Sequence, residues 1–152
     1  MAKFPHEDVL NSYTCFANWI INTRKGNRKR GFFRIFPIQL NNRGLPMIGM
    51  YLIHDLMPFM HNQSWWYRSC VGNKVFMHYH SEGNKLLHKD ILSDREKVIL
   101  RGLAAGFSSK EIGEKLNISS HTVDNHRRKM LSKTGALDTS SLLHVAKLTG
   151  FI

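Results

Sequence analysis

Two serine–glutamate pairs in the second half of this 152-residue chain restrict its fold more than any other feature. Ser93 precedes Glu96 by three positions, and Ser108 precedes Glu111 by the same spacing. At this spacing the serine hydroxyl accepts a backbone N–H of the first helical turn, and the glutamate reaches back to the serine's own N–H. Each pair therefore predicts the start of a helix, and their proximity limits the first helix to about three turns.

Polar caps predict two further helices. Asn117 can end the second helix, and Ser119 can cap a third that spans residues 119–134. Asp138 or Thr139 can cap a fourth. Since so small a domain has little interior, most of its apolar residues should form the core. These residues are Val98, Ile99, Leu100, Leu103, Ala104, Ile112, Leu116, Val123, Met130, Leu131, Leu142, Leu143 and Ala146.

The first half of the chain is rich in aromatic and β-branched residues. The segments GFFRIFPIQL and PMIGMYLIHDL are separated by the turn sequence NNRG, and SWWYRSCV and NKVFMHYH meet at Gly72-Asn73. Each pair predicts a β-hairpin. Pro37 indicates an edge strand or a bulge, because proline donates no hydrogen bond to a neighbouring strand.

Residues 5–25 precede these hairpins and carry apolar residues at the i, i+3, i+4, i+7 spacing of an amphipathic helix. The apolar positions are Val9, Leu10, Tyr13, Phe16, Ala17, Ile20 and Ile21. The predicted fold class is therefore α+β. Residues 1–80 should form a small antiparallel sheet with one helix, residues 81–91 a linker, and residues 92–152 an all-α domain of four helices.

The third predicted helix has two contrasting faces. Only Asn117-Ile118-Ser119 separates it from the second helix, which is a helix-turn-helix arrangement. On the face opposite the apolar residues, His121, Asp124, Asn125 and Arg128 recur at helical spacing, flanked by Thr122, Arg127 and Lys129. The chain holds 22 Lys and Arg against 11 Asp and Glu, a net charge of +11. A basic surface of this kind suits the DNA major groove, although an ordinary solvated helix face would also place charges opposite the core.

Residues 92–152 resemble the LuxR-type (GerE-like) helix-turn-helix domain, through LSDRE, LAAGFSSKEIGEKLNIS, TV..HR and L.K.G in the same order. The resemblance implies a four-helix domain whose third helix enters the major groove and whose fourth often forms a dimer contact. It places Asp124, Asn125 and Arg128 facing bases. The residues it places near phosphates are Thr122, Arg127, Lys129, Ser108 and Lys110, and Ser119 and His121 complete the expected DNA-binding set.

Asp124 departs from that family, which most often has Lys or Arg at this position. A carboxylate repels phosphates, but it can accept a hydrogen bond from the amino group of cytosine. It could instead orient Arg128, four positions along the helix. The sequence leaves both roles open.

Residues 4–56 resemble the C-terminal half of a PAS sensor domain. FPHEDVL is similar to the start of its long helix, and GFFRIFPIQLNNRGLPMIGMYLIHDL to its final hairpin. The preceding strands of a complete PAS domain are absent from the sequence, so we predict a partial sensor or interaction domain and no cofactor. The aromatic residues Trp65, Trp66, Tyr67, Phe76 and Tyr79 are interpreted as sheet packing.

Other chemistry is sparse. Cys70, His78 and His80 could gather on one strand pair, but no fourth ligand is evident and we predict no metal site. Neither a nucleophile–base constellation nor a phosphate-binding glycine loop is present, so no enzymatic activity is predicted. We see neither a signal peptide nor an apolar run long enough to span a bilayer, and two cysteines fit a reduced cytoplasmic protein.

These observations favour a cytoplasmic bacterial transcription regulator that binds double-stranded DNA as a homodimer, through the C-terminal helix or the N-terminal sheet. RNA polymerase is a candidate further partner, and no membrane is expected. Two alternatives stay open at the level of sequence. The sheet could be the main binding site of a protein-interaction module, or it could bind a small molecule that gates the helical domain.

Overall fold

The computed structural model describes residues 6–22, 24–55, 59–60, 66–71, 74–80, 85–87 and 90–152. The chain forms two compact units. The first comprises Met1–Pro58 and Gln63–Asp90, and the second Phe59–Asn62 and Ile91–Ile152.

The first unit is a six-stranded antiparallel sheet with a five-residue helix, α1 (His6–Leu10). Its strands lie in the order β3-β2-β1-β4-β5-β6. They are β1 (Tyr13–Asn22), β2 (Arg28–Leu40), β3 (Pro46–Asp55), β4 (Trp66–Val71), β5 (Lys74–His80) and β6 (Lys85–Leu87).

The core of this unit lies on one face of the sheet, where β1 and β4 meet. Cys15 pairs with Arg68 and Ala17 with Trp66, and all four are buried. Arg68 is charged, and its guanidinium forms two hydrogen bonds to the carboxylate of Asp90, each of 2.9 Å. Because a buried charge is costly without a partner, this bidentate pair is what permits an arginine in the core.

The predicted helix over residues 5–25 is wrong beyond its first turns, because Tyr13–Asn22 is the central strand β1. Cys15 and Ala17 are both fully buried, which is the alternation of a strand. Apolar residues are so dense in this segment that they fit either period, and pairing with β2 and β4 decides for the strand. The long helix on which part of the PAS resemblance rested is therefore a strand.

The predicted hairpins are present. β2 pairs with β3 around the turn at residues 41–44, and β4 pairs with β5 from Val71 and Lys74 outward. Pro37 lies at a register shift, as predicted, although β2 is an interior strand rather than an edge. Lys85–Leu87, inside the predicted linker 81–91, forms β6 against β5. The side chains of His78 and His80, like Gly72-Asn73 and Trp65, lie outside the described residues.

The second unit contains the four predicted helices. They are α2 (Asp94–Ala104), α3 (Ser109–Leu116), α4 (Ser120–Thr134) and α5 (Thr139–Thr149). Both capping boxes are formed, and Ser119 and Asp138 cap α4 and α5. Most of the predicted core residues are buried or half-buried. Val98 and Ala104 are exceptions on the outer side of α2, because eleven residues of helix cannot turn every apolar side chain inward.

Glu96 has a second role besides its capping box. Its carboxylate accepts two hydrogen bonds from the ammonium group of Lys133 in α4, of 2.7 and 2.9 Å, and Glu96 is buried. Burial alone would raise the pKa of Glu96, but the hydrogen bonds from Lys133 and Ser93 outweigh it and hold that pKa below its usual value. The start of α2 is thus tied to the end of α4.

We expect Glu96→Gln to lower the free energy of unfolding of the second unit by about 1–3 kcal/mol at neutral pH, the range for hydrogen bonds to charged groups. A lowered pKa in the folded state stabilises the fold above the unfolded pKa of about 4.3, and this contribution is lost as the pH falls through the folded pKa. The difference between wild type and variant should therefore shrink below about pH 4. Urea melts across this pH range measure it.

Glu114→Gln on α3 is the matched control, because Glu114 is exposed. It should leave the free energy of unfolding unchanged within about 0.5 kcal/mol. Equal effects of the two substitutions at every pH would contradict the role assigned to Glu96.

Candidate nucleic-acid interface

The turn between α3 and α4 brings the two helices into close approach. Asn117 ends α3 with φ of 52°, in the left-handed region, and the N–H of Ile118 bonds the carbonyl of Gly113 at 3.0 Å. A Cβ atom at Gly113 would lie 2.7 Å from the carbonyl oxygen of Ile118. Residue 113 must therefore be very small for the chain to pass into α4 at this position.

The first turn of α4 is fixed by Ser119. Its hydroxyl accepts the N–H of Thr122 at 3.0 Å and lies 2.8 Å from the hydroxyl of Thr122. Val123 and Met130 are fully buried on the inner face, as predicted, while Leu131 is half-buried. Because the inner face is fixed by this core, the polar residues of α4 lie on its outer side.

The outer face of α4 presents cationic and hydrogen-bonding groups. His121, Arg128 and Lys129 are exposed, and Asn125 is half-buried. The guanidinium of Arg128 donates to the side-chain oxygen of Asn125 at 2.7 Å. This hydrogen bond restricts the orientation of a long side chain that would otherwise sample many rotamers.

Asp124 does not orient Arg128, so that hypothesis is corrected. Its carboxylate accepts a hydrogen bond from the hydroxyl of Ser109 at 2.7 Å and forms an ion pair with Arg127 at 3.2 Å. Arg127 also donates to the hydroxyl of Thr139 at 3.2 Å, which draws its guanidinium toward α5 and across Asp124. The partner of Asp124 is thus three positions along the helix rather than four.

This network joins three helices. Ser109 is the first residue of α3, Asp124 and Arg127 are in α4, and Thr139 begins α5. The side chains of Asp124 and Arg127 are 36% and 38% exposed, so both still face solvent in part. The carboxylate therefore offsets one cationic charge on α4 and leaves the charges of Arg128 and Lys129 without a neighbouring acid in this network.

The remaining predicted residues lie at the start of α3. Ser108 is exposed, and its hydroxyl bonds the N–H and carboxylate of Glu111 within the capping box, at 3.2 and 2.7 Å. Lys110 is exposed beside it. The hydroxyls of Ser108 and Ser119 are thus used as helix caps, so their helix starts, rather than their hydroxyls alone, are the features available to an anion.

Sequence reasoning missed three residues of this arrangement. Ser109 and Thr139 anchor Asp124 and Arg127, and Gly113 permits the close turn. The two hydroxyls belong to other helices, so no spacing within α4 could reveal them. Gly113 could have been found, because a glycine inside a predicted helix costs about 1 kcal/mol of helix propensity and therefore signals close packing.

The model of the bacterial regulatory proteins of the luxR family matches residues 90–146, which include this turn and both helices beside it. Residues 90–146 are a LuxR-family helix-turn-helix domain. The predicted resemblance of residues 92–152 to that family is confirmed.

Curated relatives share this LuxR-family domain and little more of their length. The transcriptional regulatory protein TdiR of Thauera aromatica is 44% identical over 66 residues, which are 41% of this chain and 29% of TdiR. The Fimbriae Z protein of Escherichia coli is 43% identical over 58 residues, 38% of this chain and 28% of that protein. The chain therefore matches less than a third of the length of these relatives.

Solved structures of VqmA are similar over more of the chain. A structure titled as VqmA bound to DPO is 20% identical, covers 93% of this chain and 52% of that one, and has a TM-score of 0.38. A Vibrio cholerae VqmA dimer is also 20% identical, covers 93% and 57%, and has a TM-score of 0.39.

Two further findings concern only the described part of the chain. Its helices include none that is both long and apolar enough to cross a membrane. Its His, Cys, Asp and Glu side chains do not gather in any group of three that could hold a metal ion.

A double-mutant cycle tests the Ser109–Asp124 contact. We expect Ser109→Ala and Asp124→Ala each to lower the stability of the LuxR-family domain and to be non-additive by about 0.5–1.5 kcal/mol, because either substitution removes the same hydrogen bond. Chemical melts of the four chains give the coupling energy. As a control, Ser109→Ala combined with Asn125→Ala should be additive within about 0.5 kcal/mol, and equal coupling in both cycles would refute the contact.

Proposed function

We propose that this chain is a sequence-specific DNA-binding transcription regulator that inserts α4 into the major groove of double-stranded DNA. One observation carries the proposal. The LuxR-family domain holds α4 by a buried apolar face and a close turn, and turns an ordered polar and cationic face outward. A major groove admits one helix, and reads it through side chains of this kind.

The geometry divides the outer residues by role. His121, Asn125 and Arg128 are the base-reading candidates, because they occupy the outer face and Asn125 already orients the guanidinium of Arg128. An oriented guanidinium matches the two acceptors of guanine, so we expect a guanine at the position that Arg128 reads. Asp124 is a positioning residue in this proposal, since Ser109 and Arg127 occupy its carboxylate.

Phosphate contacts come from the edges of the same surface. Lys110 and Lys129 are exposed cations, and Ser108 and Thr122 belong to the first turns of α3 and α4, where free N–H groups and the helix dipole favour an anion. Arg127 is shared between the fold and this edge, because its guanidinium is bound to Asp124 and Thr139 while remaining partly exposed. A net charge of +11 draws the whole chain toward a polyanion.

The regulatory role of the whole chain rests on its relatives. TdiR and its counterpart in Bordetella pertussis, BvgA, are named as transcription regulators, and each shares only the LuxR-family domain with this chain. We therefore propose that the chain acts in the cytoplasm on transcription, without enzymatic activity, and that RNA polymerase is a further partner. Because one reading helix has a small footprint, we propose that two copies bind half-sites about 34–36 Å apart.

Salt dependence of DNA binding tests the phosphate edge. Lys129→Ala should weaken binding to all duplex sequences alike, and it should make the slope of log affinity against log salt shallower by about 0.9, because one phosphate contact is lost. Fluorescence anisotropy with a labelled duplex at several salt concentrations measures both quantities.

Lys147→Ala is the matched control, since Lys147 is an exposed lysine on α5. It removes the same charge from the chain but should leave the slope unchanged. A similar change of slope in both variants would reduce the effect to net charge, and an unchanged slope in Lys129→Ala would remove Lys129 from the interface.

A further inference from the structure

Strand β3 is exposed to an unusual extent. It lies at one end of the strand order, and every residue from Pro46 to Ile53 is exposed. Successive side chains of a strand point to opposite faces, so the exposure covers both faces of β3. Its large apolar residues are 45% to 66% exposed, namely Met47, Ile48, Met50, Tyr51, Leu52 and Ile53.

The outer edge of β3 has none of the usual protection against pairing. Sheet edges in monomeric proteins are guarded by charged side chains, bulges or very short strands. β3 has ten residues, and the segment from Pro46 to Ile53 contains no charged side chain. Among the described residues, β2 is the strand that β3 pairs with, and its other edge faces none. The backbone N–H and C=O groups along that edge are therefore a template for another strand.

The apolar surface around β3 has the size of a protein interface. Ile35 and Ile38 of the adjoining β2 and Leu45 of the turn are also 43% to 54% exposed. With the six residues of β3 they present on the order of 900 Å² of residue surface, which compares with about 800 Å² per partner in a stable complex and exceeds the few hundred Å² of an ordinary surface patch.

We infer that β3 pairs with β3 of a second copy of this chain, antiparallel across a two-fold axis, so that two six-stranded sheets become continuous. An uncharged apolar strand is complementary to itself, whereas it offers no charge pattern by which to select a different partner. A register centred on β3 places Met50 opposite the partner's Tyr51, and apolar cross-strand pairs of this kind stabilise a sheet. The two half-sites of the proposed function would need such a pair of copies, although the inference does not depend on DNA.

The test measures the mass of the full chain in solution by sedimentation velocity, without DNA. The natural chain should be a dimer at tens of micromolar, the range expected for an interface of standard size. Met50→Lys with Tyr51→Lys should be a monomer, because like charges would then lie directly opposite each other across the axis. Val98→Lys is the control: Val98 is an apolar residue of α2 that is 41% exposed, and its substitution should leave the dimer intact.

A charge-swap experiment tests the register. Met50→Glu with Tyr51→Glu should also be a monomer, and mixing it with the double lysine variant should restore a dimer that contains one chain of each kind. Each substituted residue is exposed, so far-UV circular dichroism should match that of the natural chain.

Oxidative cross-linking provides a second measurement that needs no charged substitution. Met50→Cys and Tyr51→Cys should form disulfide-linked dimers, and Val98→Cys should not. The natural cysteines give little background, because Cys15 and Cys70 are buried and burial raises the pKa of Cys15 to about 12.

Three results would overturn the inference. They are a natural chain that stays monomeric at about 100 µM, the upper range for a weak interface; a dimer that persists in the double lysine variant; and cross-linking that is as strong at Val98 as at Met50 and Tyr51. Since none of these measurements involves DNA, each could fail while α4 still binds a duplex.

Discussion

The close turn between α3 and α4 is the constraint on which the functional surface depends. Gly113 lets the carbonyl of Ile118 approach where a Cβ atom would lie 2.7 Å away, and Asn117 reverses the chain in the left-handed region. These two residues set the direction in which α4 leaves the turn. Burial of Val123 and Met130 then fixes its rotation, so the outward direction of the polar face follows from backbone geometry and core packing together.

Ion pairs within the helical unit decide which charges remain available at the surface. Glu96 binds Lys133, and Asp124 binds Arg127, so two of the cations of α4 contribute to holding the helices in place. Arg128 and Lys129 are exposed next to them. An acidic residue in a DNA-reading helix is thereby explained as part of the scaffold, at the cost of one unit of positive potential facing the phosphates.

Local signals in the sequence predicted the helical unit, and long-range pairing explains what they missed. Ser93, Ser108 and Ser119 mark helix starts because a cap is an interaction within four residues. Residues 13–22 carry apolar side chains that satisfy both helical and strand periods, and only pairing with β2 and β4 selects the strand. The partners of Asp124 and Arg127 come from α3 and α5, so spacing along α4 could not predict them.

The most direct test of the central claim is an NMR titration of the full chain with a duplex that the chain itself selects from a random pool. If α4 enters the major groove, the largest amide shift changes should fall on residues 108–110 and 119–129, and changes in β1 to β6 should be smaller. Changes concentrated in the sheet with α4 unaffected, or no selected duplex at all, would contradict the account.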